Sequence, residues 1–299
     1  PEKVEAFAKI GINRASIGVQ DTDEKVQKAI NRVQPQSRNL EAVEWLRANG
    51  ILSINVDLIY GLPLQTRESF KNTLSDALGL KPARIALFGY AHVPWVKPAQ
   101  KSLEKCGIPT SDEKAELFIL GKRIFEEAGY EFIGLDHFAK PGDELIKARE
   151  NGTLHRNFQG YSTRAGVDLF AVGLTSISET KTSYRQNFKL MEDYKKPVEA
   201  GSLPIERGIV LDGEDILRRA VIMDIMCMLR VDYANYGIDF EKKFGGALEK
   251  LEGMKSDGLV EIRAGGFSVT PLGRLFLRNI AMLFDGRLGA HKNTFSKTV

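Results

Sequence analysis

Apolar runs alternate with amphipathic stretches over the first ninety residues of the chain. The clearest run, at 53–63, reads Ser-Ile-Asn-Val-Asp-Leu-Ile-Tyr-Gly-Leu-Pro and stops at a turn signal. A run of this kind predicts a buried strand, and its near-continuous hydrophobicity favours a parallel sheet covered on both faces. Similar runs lie at 15–20 and 84–90, and helical patterns separate the three, at about 23–33, 38–49 and 68–79.

This alternation predicts an α/β fold that begins with three strand–helix units. Three units are too few to close an eight-stranded barrel, so they form either a small open sheet or part of a barrel. The chain starts at Pro1, without Met and inside a helix-like pattern. We therefore expect that the chain is cut upstream.

Beyond residue 94 the pattern changes to helices and short turns. An amphipathic helix is expected at 111–129, a turn-rich stretch at 133–178 and an apolar helix at 216–229. A small-residue strand is expected at 173–178. The tail predicts a helix, a hairpin and a helix, at 240–256, 259–269 and 271–284, an order that resembles a winged helix. The predicted domains are 1–105, 106–205 and 206–299.

Composition and charge narrow the function. The chain of 299 residues carries a formal charge of +3, which is too small to imply a nucleic-acid partner. The tail hairpin places Glu261 beside Arg263 and lacks a basic cluster, so a packing module is favoured over DNA binding. No apolar run has membrane-span length and no signal peptide is evident. The only cysteines, Cys106 and Cys227, form no disulfide or metal framework and suit a reducing cytoplasm.

Polar residues follow the predicted strands. Gln20 and Asp57 end the first two strands, and His92 lies just beyond the third. The ends of neighbouring parallel strands converge on one crevice, so these side chains are candidates for a common ligand; the alternative is that they only cap the following loops. Arg32 alone is typical of a surface arginine or a helix C-cap.

Two short segments, 134–140 and 155–161, gather His, Arg, Asn, Gln, Lys and aromatic residues where helical periodicity is weak. Such density in a loop favours binding. Arg156 and Lys140 suit an anionic substrate such as a polycarboxylate. His137 and His155 could be metal ligands, although a proton-handling or structural role fits their spacing better. Small residues at 173–178 would let the backbone approach a ligand closely.

These segments together resemble the oxygen-independent coproporphyrinogen III oxidases, which are radical S-adenosylmethionine (SAM) enzymes. The resemblance is carried by Gly-Val-Gln-Asp at 18–21, Asn-Arg at 31–32, Asp-Leu-Ile-Tyr-Gly-Leu-Pro at 57–63, Tyr-Ala-His at 90–92, Asp-His-Phe at 136–138 and His-Arg-Asn-Phe-Gln-Gly-Tyr at 155–161. The last block distinguishes the oxidases from related haem chaperones and methyltransferases. The implied fold is the C-terminal half of a partial (β/α)6 barrel, followed by a mostly helical C-terminal domain with a winged-helix-like tail.

The chain departs from this family in one respect. The family binds a [4Fe–4S] cluster through Cys-x-x-x-Cys-x-x-Cys, and no such motif occurs in the sequence. The resemblance implies that the cluster ligands and a glycine-rich SAM segment lie upstream of Pro1. We therefore expect the chain alone to be an inactive fragment with no metal ligand of its own.

The resemblance also implies roles for individual residues. The first SAM molecule would be lined by Gln20, Arg32, Asp57 and Ala91. A second SAM molecule would be contacted by Ile59, Phe158, Gln159 and Ile177. Arg156 and Lys140 are the candidates for binding substrate carboxylates, whereas the catalytic residues are not assigned.

The implied reaction is oxidative decarboxylation of two propionates of coproporphyrinogen III, giving protoporphyrinogen IX in haem biosynthesis. A 5′-deoxyadenosyl radical abstracts a propionate β-hydrogen, and loss of CO2 and one electron leaves a vinyl group. The reaction requires an electron donor and an electron acceptor, both unidentified. The alternatives are a haem chaperone of the same superfamily and, from another class, a winged-helix regulator that binds DNA.

Overall fold

The structure is a computed structural model that describes residues 2–288. The chain divides into two compact units, of which the described parts are 2–146 and 147–288. Each unit is considered by itself below. The domain boundaries expected near 105 and 205 stay predictions.

The first unit is an α/β structure. Its elements are, in order, α1 (Glu2–Lys9), β1 (Arg14–Gln20), α2 (Glu24–Ala29), α3 (Gln36–Ala48), β2 (Ser53–Tyr60), α4 (Arg67–Gly79), β3 (Arg84–Gly89), a 3-10 helix (Pro98–Cys106), α5 (Ser111–Glu127), β4 (Glu131–Gly134), β5 (His137–Ala139) and the start of α6 (Glu144–Glu150).

The strands of this unit form one sheet with the order β1-β2-β3-β5-β4. β1, β2 and β3 are parallel, which confirms the three predicted strand–helix units. β5 and β4 continue the sheet as an antiparallel hairpin beside β3. The segment at 134–140, which we expected to be a binding loop, therefore contains a strand of the sheet.

β2 has two unlike faces, and this corrects the expectation that the sheet is covered on both. Its residues alternate strictly between half-buried and buried. The even-numbered residues belong to an apolar core with helices α4 and α5, and the core includes Val56, Leu58 and Phe70. The odd-numbered residues are mostly polar, so they form a separate face, which we call the inner face.

Local sequence signals set the helices against this core. Thr66 is the N-cap of α4 and Thr110 is the N-cap of α5. Each belongs to a capping box that satisfies free backbone N–H groups. Within α5, a Cβ added to Gly121 would stand 2.6 Å from a methyl group of Leu87 on β3. The missing side chain therefore lets α5 approach the sheet closely.

The second unit combines small antiparallel sheets with helices. Its elements are, in order, the end of α6, β6 (His155–Asn157), β7 (Gly160–Ser162), β8 (Ile177–Glu179), β9 (Ser183–Asn187), α7 (Met191–Glu199), β10 (Ile205–Val210), α8 (Gly213–Met228), β11 (Arg230–Asp232), a 3-10 turn (Tyr233–Tyr236), α9 (Phe240–Ser256), β12 (Val260–Arg263), β13 (Gly266–Val269), a second 3-10 turn (Gly273–Phe276) and α10 (Leu277–Met282).

The predicted winged-helix-like tail is present in outline. β11, β13 and β12 form an antiparallel sheet beside α8, α9 and α10. Phe240, Phe244, Phe267 and Phe284 pack together in its core. The last helix is shorter than expected, because a 3-10 turn precedes α10.

The strand expected at 173–178 is also shorter in the structure, where β8 begins at Ile177. Gly173 and Thr175 both have positive φ, at 104° and 60°, which is incompatible with extended strand geometry. Among the described helices of both units, none is long and apolar enough to cross a membrane.

Candidate functional site

The inner face of the first sheet lines up residues from four strands. Register places Gly18 of β1, Asp57 of β2, Ala86 of β3 and His137 of β5 side by side. Asp57 is the fifth of eight residues of β2, which corrects our expectation that it ends its strand. Its carboxylate therefore projects from the middle of the sheet rather than from the following loop.

Two neighbours fix the Asp57 carboxylate. Ser16 Oγ donates to Oδ2 at 2.8 Å, and Asn55 Nδ2 donates to Oδ1 at 2.7 Å. Burial raises the pKa of Asp57, and the hydrogen bonds from Ser16 and Asn55 oppose that rise. No cation lies within ion-pair distance of Asp57 among the described residues. The carboxyl group is thus oriented by neutral donors and has no opposite charge beside it among the described residues.

Asn55 adds an acceptor to this face. Its amide nitrogen is committed to Asp57 and to Ser16 Oγ, which lies 2.9 Å away. Its Oδ1 is buried and has no hydrogen-bond partner among the described residues. An unsatisfied buried acceptor costs stability unless a ligand supplies a donor. Asn55 and Asp57 together therefore suit a ligand that brings hydroxyl or N–H groups.

Gln20 and Arg32 converge over Gly18. A Cβ added to Gly18 would stand 2.6 Å from Gln20 Nε2 and 3.1 Å from Arg32 Nη2. Arg32 donates to the Gly18 carbonyl at 2.7 Å and meets no carboxylate among the described residues. Within residues 2–288 the Gln20 side-chain amide makes no hydrogen bond either. The pair offers a guanidinium and an amide that can bind a carboxylate or an amino group.

The segment after β3 is tied together by side chains. Gln100 Nε2 donates to the Ala91 carbonyl at 3.1 Å, and its Oε1 accepts from Val93 N at 2.7 Å. His92 lies beside Glu104, with 3.0 Å between Nε2 and Oε1. These contacts account for His92 without a ligand.

Lys140 lies at the opposite end of the parallel strands from Gln20. Ala139 pairs with Arg84, the first residue of β3, so Lys140 follows at the amino end of the parallel strands. Its Nζ stands 5.7 Å from the centre of the Tyr130 ring. The length of β3, roughly 17 Å, separates this end from the carboxyl edge where Gln20 stands. The structure does not bring Lys140 together with the other candidates of this unit.

In the second unit, the block 155–161 forms the β6–β7 hairpin. Phe158 and Gln159 occupy its turn and are both exposed. Asn157 Oδ1 accepts from Gln159 N at 2.8 Å and shapes the turn. Phe158 meets Tyr184 of β9 edge to face, with 5.2 Å between ring centres. Ile177, at the start of β8, is half-buried.

A cavity of about 300 Å³ opens beside this hairpin. Its apolar wall includes Phe158, Tyr184, Ile209, Leu211, Ile222 and Met223. Four arginines also line it, namely Arg156, Arg218, Arg219 and Arg287. Sequence reasoning missed this cavity, because its walls come from short segments far apart in the chain.

Three of the four arginines have acidic neighbours. Arg287 pairs with Asp215 at 2.6 Å, Arg218 pairs with Glu214 at 2.7 Å, and Arg219 lies 4.0 Å from Glu179. Burial raises the pKa of Glu179, and Arg219 opposes that rise.

Arg156 is the exception. Its Nε is buried without a hydrogen-bond partner among the described residues, and its guanidinium stands 5.8 Å from the centre of the Tyr161 ring. Arg156 is therefore the cation of this cavity that is best placed to take an anionic group.

The described residues hold no metal centre. No group of three or more His, Cys, Asp or Glu side chains within 2–288 is arranged to bind an ion. Cys227 is buried, and burial raises the pKa of its thiol to about 12, so it stays protonated at neutral pH. Cys106 belongs to the first unit and Cys227 to the second. The described residues therefore do not fit an iron–sulfur cluster.

Comparison with known proteins identifies the family to which this chain belongs. A family model described as the Radical SAM superfamily matches residues 1–77, and one described as the HemN C-terminal domain matches residues 211–276. An oxygen-independent coproporphyrinogen III oxidase from Thermostichus vulcanus is 44% identical, over 97% of this chain and 91% of the relative. The chain belongs to this family. Radical SAM proteins use an iron–sulfur cluster and SAM.

Two further relatives of this family are longer than the chain. The enzymes of the same name from Helicobacter pylori J99 and Escherichia coli K12 are 44% and 39% identical to it, each over 97% of the chain. The chain spans 64% and 65% of their lengths. The solved structure of the E. coli oxidase, described as a radical SAM enzyme, superimposes with a TM-score of 0.88 at 38% identity, covering 96% of this chain and 67% of that one.

Proposed function

We propose that this chain is part of an enzyme that oxidatively decarboxylates two propionates of coproporphyrinogen III to form protoporphyrinogen IX. Family membership supports this reaction. The observation that carries the proposal is the set of polar groups on and beside the inner face that lack an oppositely charged or a donor partner. Asp57 has no cation, Arg32 has no carboxylate, and Asn55 Oδ1 has no donor among the described residues. These are complementary to the groups of a nucleoside joined to an amino acid.

SAM brings such groups. We assign its ribose hydroxyls to Asp57, which would accept two hydrogen bonds, and its carboxylate to Arg32. Gln20 would bind the amino acid end beside Arg32, and Ala91 would contribute backbone contacts. The residues present therefore fit SAM, and their part is to bind and orient it.

A second SAM molecule and the tetrapyrrole concern the second unit. We propose that Phe158, Gln159 and Ile177 contact this second molecule. Arg156 is the preferred partner for a substrate carboxylate, because it lines an apolar cavity and has no acidic partner of its own among the described residues. Lys140 is the weaker candidate, given its place at the amino end of the parallel strands.

The cluster of the enzyme is proposed to be [4Fe–4S], with ligands outside this chain. When bound, cluster and SAM supply a radical that removes hydrogen from the substrate. The residues of this chain would hold the reactants in position and exclude water. An electron donor and an electron acceptor complete the reaction.

The test is an anaerobic assay of a protein that joins this chain to a cluster-binding segment. We expect conversion of coproporphyrinogen III with release of two CO2 molecules per protoporphyrinogen IX. The same protein is titrated with haem. Tight haem binding without CO2 release would contradict the proposal and identify a haem chaperone instead.

A further inference from the structure

Asp21 is a fully buried carboxylate next to the inner face. It follows Gln20 directly and has 0% exposure. Three donors surround it: the Asp23 N–H at 2.7 Å, Thr73 Oγ1 at 3.0 Å and Gln65 Nε2 at 2.6 Å. Burying an ionised group is costly unless hydrogen bonds replace water. Burying the Asp21 carboxylate therefore costs free energy, and the three donors compensate for that cost.

Gln65 connects Asp21 to the end of β2. Its Nε2 also donates to the Ile59 carbonyl at 3.0 Å, and its Oε1 accepts from Gly61 N at 2.6 Å. One amide group thus holds Ile59 near the end of β2, the first residue of the Gly-Leu-Pro turn, and Asp21 directly after β1. Both the oxygen and the nitrogen of the Gln65 amide therefore make contacts within the protein.

The link lies where backbone pairing between β1 and β2 becomes irregular. Up to Gly18 and Asp57 the two strands stay in register, but Gln20 pairs with Leu58, so one residue of β1 is left over. Gln20 itself has a positive φ of 66°. A bulge of this kind re-aims a side chain at the expense of the ladder. The backbone ladder alone therefore does not fix Gln20 relative to Ile59.

We propose that Asp21 and Gln65 are a positioning pair that sets Gln20 on β1 relative to Asp57 on β2, at the separation that binding of the first SAM molecule requires. This inference rests on the proposed function, because Gln20 and Asp57 are the contacts assigned above to that molecule. The pair acts through its neighbours and does not touch the ligand. At the bulge, its hydrogen bonds hold β1 and β2 together where the backbone pairing is irregular.

Each substitution changes which hydrogen-bond donors and acceptors meet around Asp21 and Gln65. Asp21→Asn leaves three donors facing one oxygen and one NH2 group, so either Gln65 meets a second donor or its amide turns and loses Gly61 N. Gln65→Glu places two carboxylates in contact. In the double variant D21N/Q65E, the new amide donates to the new carboxylate, which still accepts from Gly61 N. The bond to the Ile59 carbonyl is lost, and a carboxylate oxygen faces that carbonyl instead, so recovery should be partial.

The first experiment measures SAM affinity by calorimetry in a protein that joins this chain to a cluster-binding segment. We expect Gln65→Glu to weaken binding at least tenfold and D21N/Q65E to recover threefold or more of that loss. Thr73→Val is the matched control, because it removes one donor from Asp21, together with the contacts of Thr73 Oγ1 to Thr22, and leaves Gln65 in place; its affinity should stay within twofold. Equal losses for Gln65→Glu and Thr73→Val at equal drops in melting temperature, or no recovery in the double variant, would overturn the proposal.

The second experiment needs no SAM. Hydrogen exchange of the Gly61 amide should accelerate at least tenfold in Asp21→Asn and less than threefold in Thr73→Val. Unchanged Gly61 exchange in Asp21→Asn would show that Asp21 does not act through Gln65 and would overturn the pair. A parent protein that binds no SAM while Gly61 exchange responds as expected would instead contradict the proposed function.

Discussion

The inner face of the first unit and the cavity of the second are both rich in charged groups, but they treat those charges differently. On the inner face, Asp57 and Arg32 lack oppositely charged partners among the described residues, and only neutral groups orient them. In the cavity, three arginines have acidic neighbours and only Arg156 does not. An unpaired carboxylate on the sheet and an unpaired guanidinium beside it indicate a site built for a polar ligand. The cavity combines one unpaired cation with an apolar wall, which suits an amphipathic anion.

The largest expected effect concerns the metal cluster, which neither unit should bind by itself. We expect that this chain, expressed alone and reconstituted anaerobically, takes up no iron–sulfur cluster. The described residues contain no suitable ligand set, and Cys227 stays protonated at neutral pH. Iron and sulfide analysis with visible spectroscopy is the measurement. Stoichiometric iron and sulfide with a charge-transfer band would contradict the ligand assignment.

The next largest effect concerns Asp57. In a protein joined to a cluster-binding segment, Asp57→Asn should weaken SAM binding roughly 10- to 100-fold, because a hydrogen bond to a charged group is worth about 1.5–3 kcal/mol. Calorimetry measures the affinity, and the cluster spectrum should not change. Glu44→Gln, which removes one exposed carboxylate from the same unit, is the control. Unchanged affinity in Asp57→Asn would assign Asp57 a structural role.

Arg156→Gln tests the cavity. Removing its charge should raise the KM for coproporphyrinogen III about tenfold, at the lower end of the range for a charged hydrogen bond. SAM cleavage without substrate should continue at the parental rate. Arg218→Gln is the matched control, since Arg218 lines the same cavity but is paired with Glu214. An equal effect in both variants would remove the distinction between paired and unpaired arginines.

A smaller effect is expected at the hairpin turn. Gln159→Ala should lower coproporphyrinogen turnover about 2- to 10-fold, the range for one neutral hydrogen bond. Reductive cleavage of the first SAM should survive, because the inner face remains intact. The melting temperature is measured alongside. Loss of both activities with a lower melting temperature would mean that the turn only packs.

The smallest effect is the pH dependence of stability. Because burial raises the native pKa of Asp57 above 3.8, the contribution of this group to stability is full below pH 3.8 and is lost as pH rises through the native pKa. Asp57→Asn has no such loss, so its stability relative to the parent should increase between pH 3.8 and neutral pH. Urea unfolding at several pH values measures this difference. A constant difference would contradict the assignment.

The sequence predicted the parallel strands well, because their apolar runs and turn residues are local signals. Asp57 was identified as the one acid in such a run. The same run contains Asn55, two residues earlier and therefore on the same face of a strand, and this spacing was the available signal for it. The antiparallel hairpin was missed, because β5 is three residues long and is stabilised by pairing with β3 rather than by its own pattern.

Burial of polar residues was harder to predict. Asp21 follows Gln20 and precedes a helix, which is typical of an exposed acid. Its donors Gln65 and Thr73 lie 44 and 52 residues along the chain, so no local pattern announces them. The cavity of the second unit is similar, because its walls come from β6, β9, β10 and α8 and from the residues after α10.

The link from Asp21 through Gln65 to Gly61 has a consequence for how this region can change during evolution. Each of the two side chains is satisfied only while the other keeps its present hydrogen-bonding groups, so their mutational effects cannot be additive. A drift from Asp to Asn at position 21 is harmful on the present background and becomes acceptable once position 65 is an acid. The acid at position 65 is itself harmful while Asp21 is present, so either order of substitution passes through an intermediate that binds poorly.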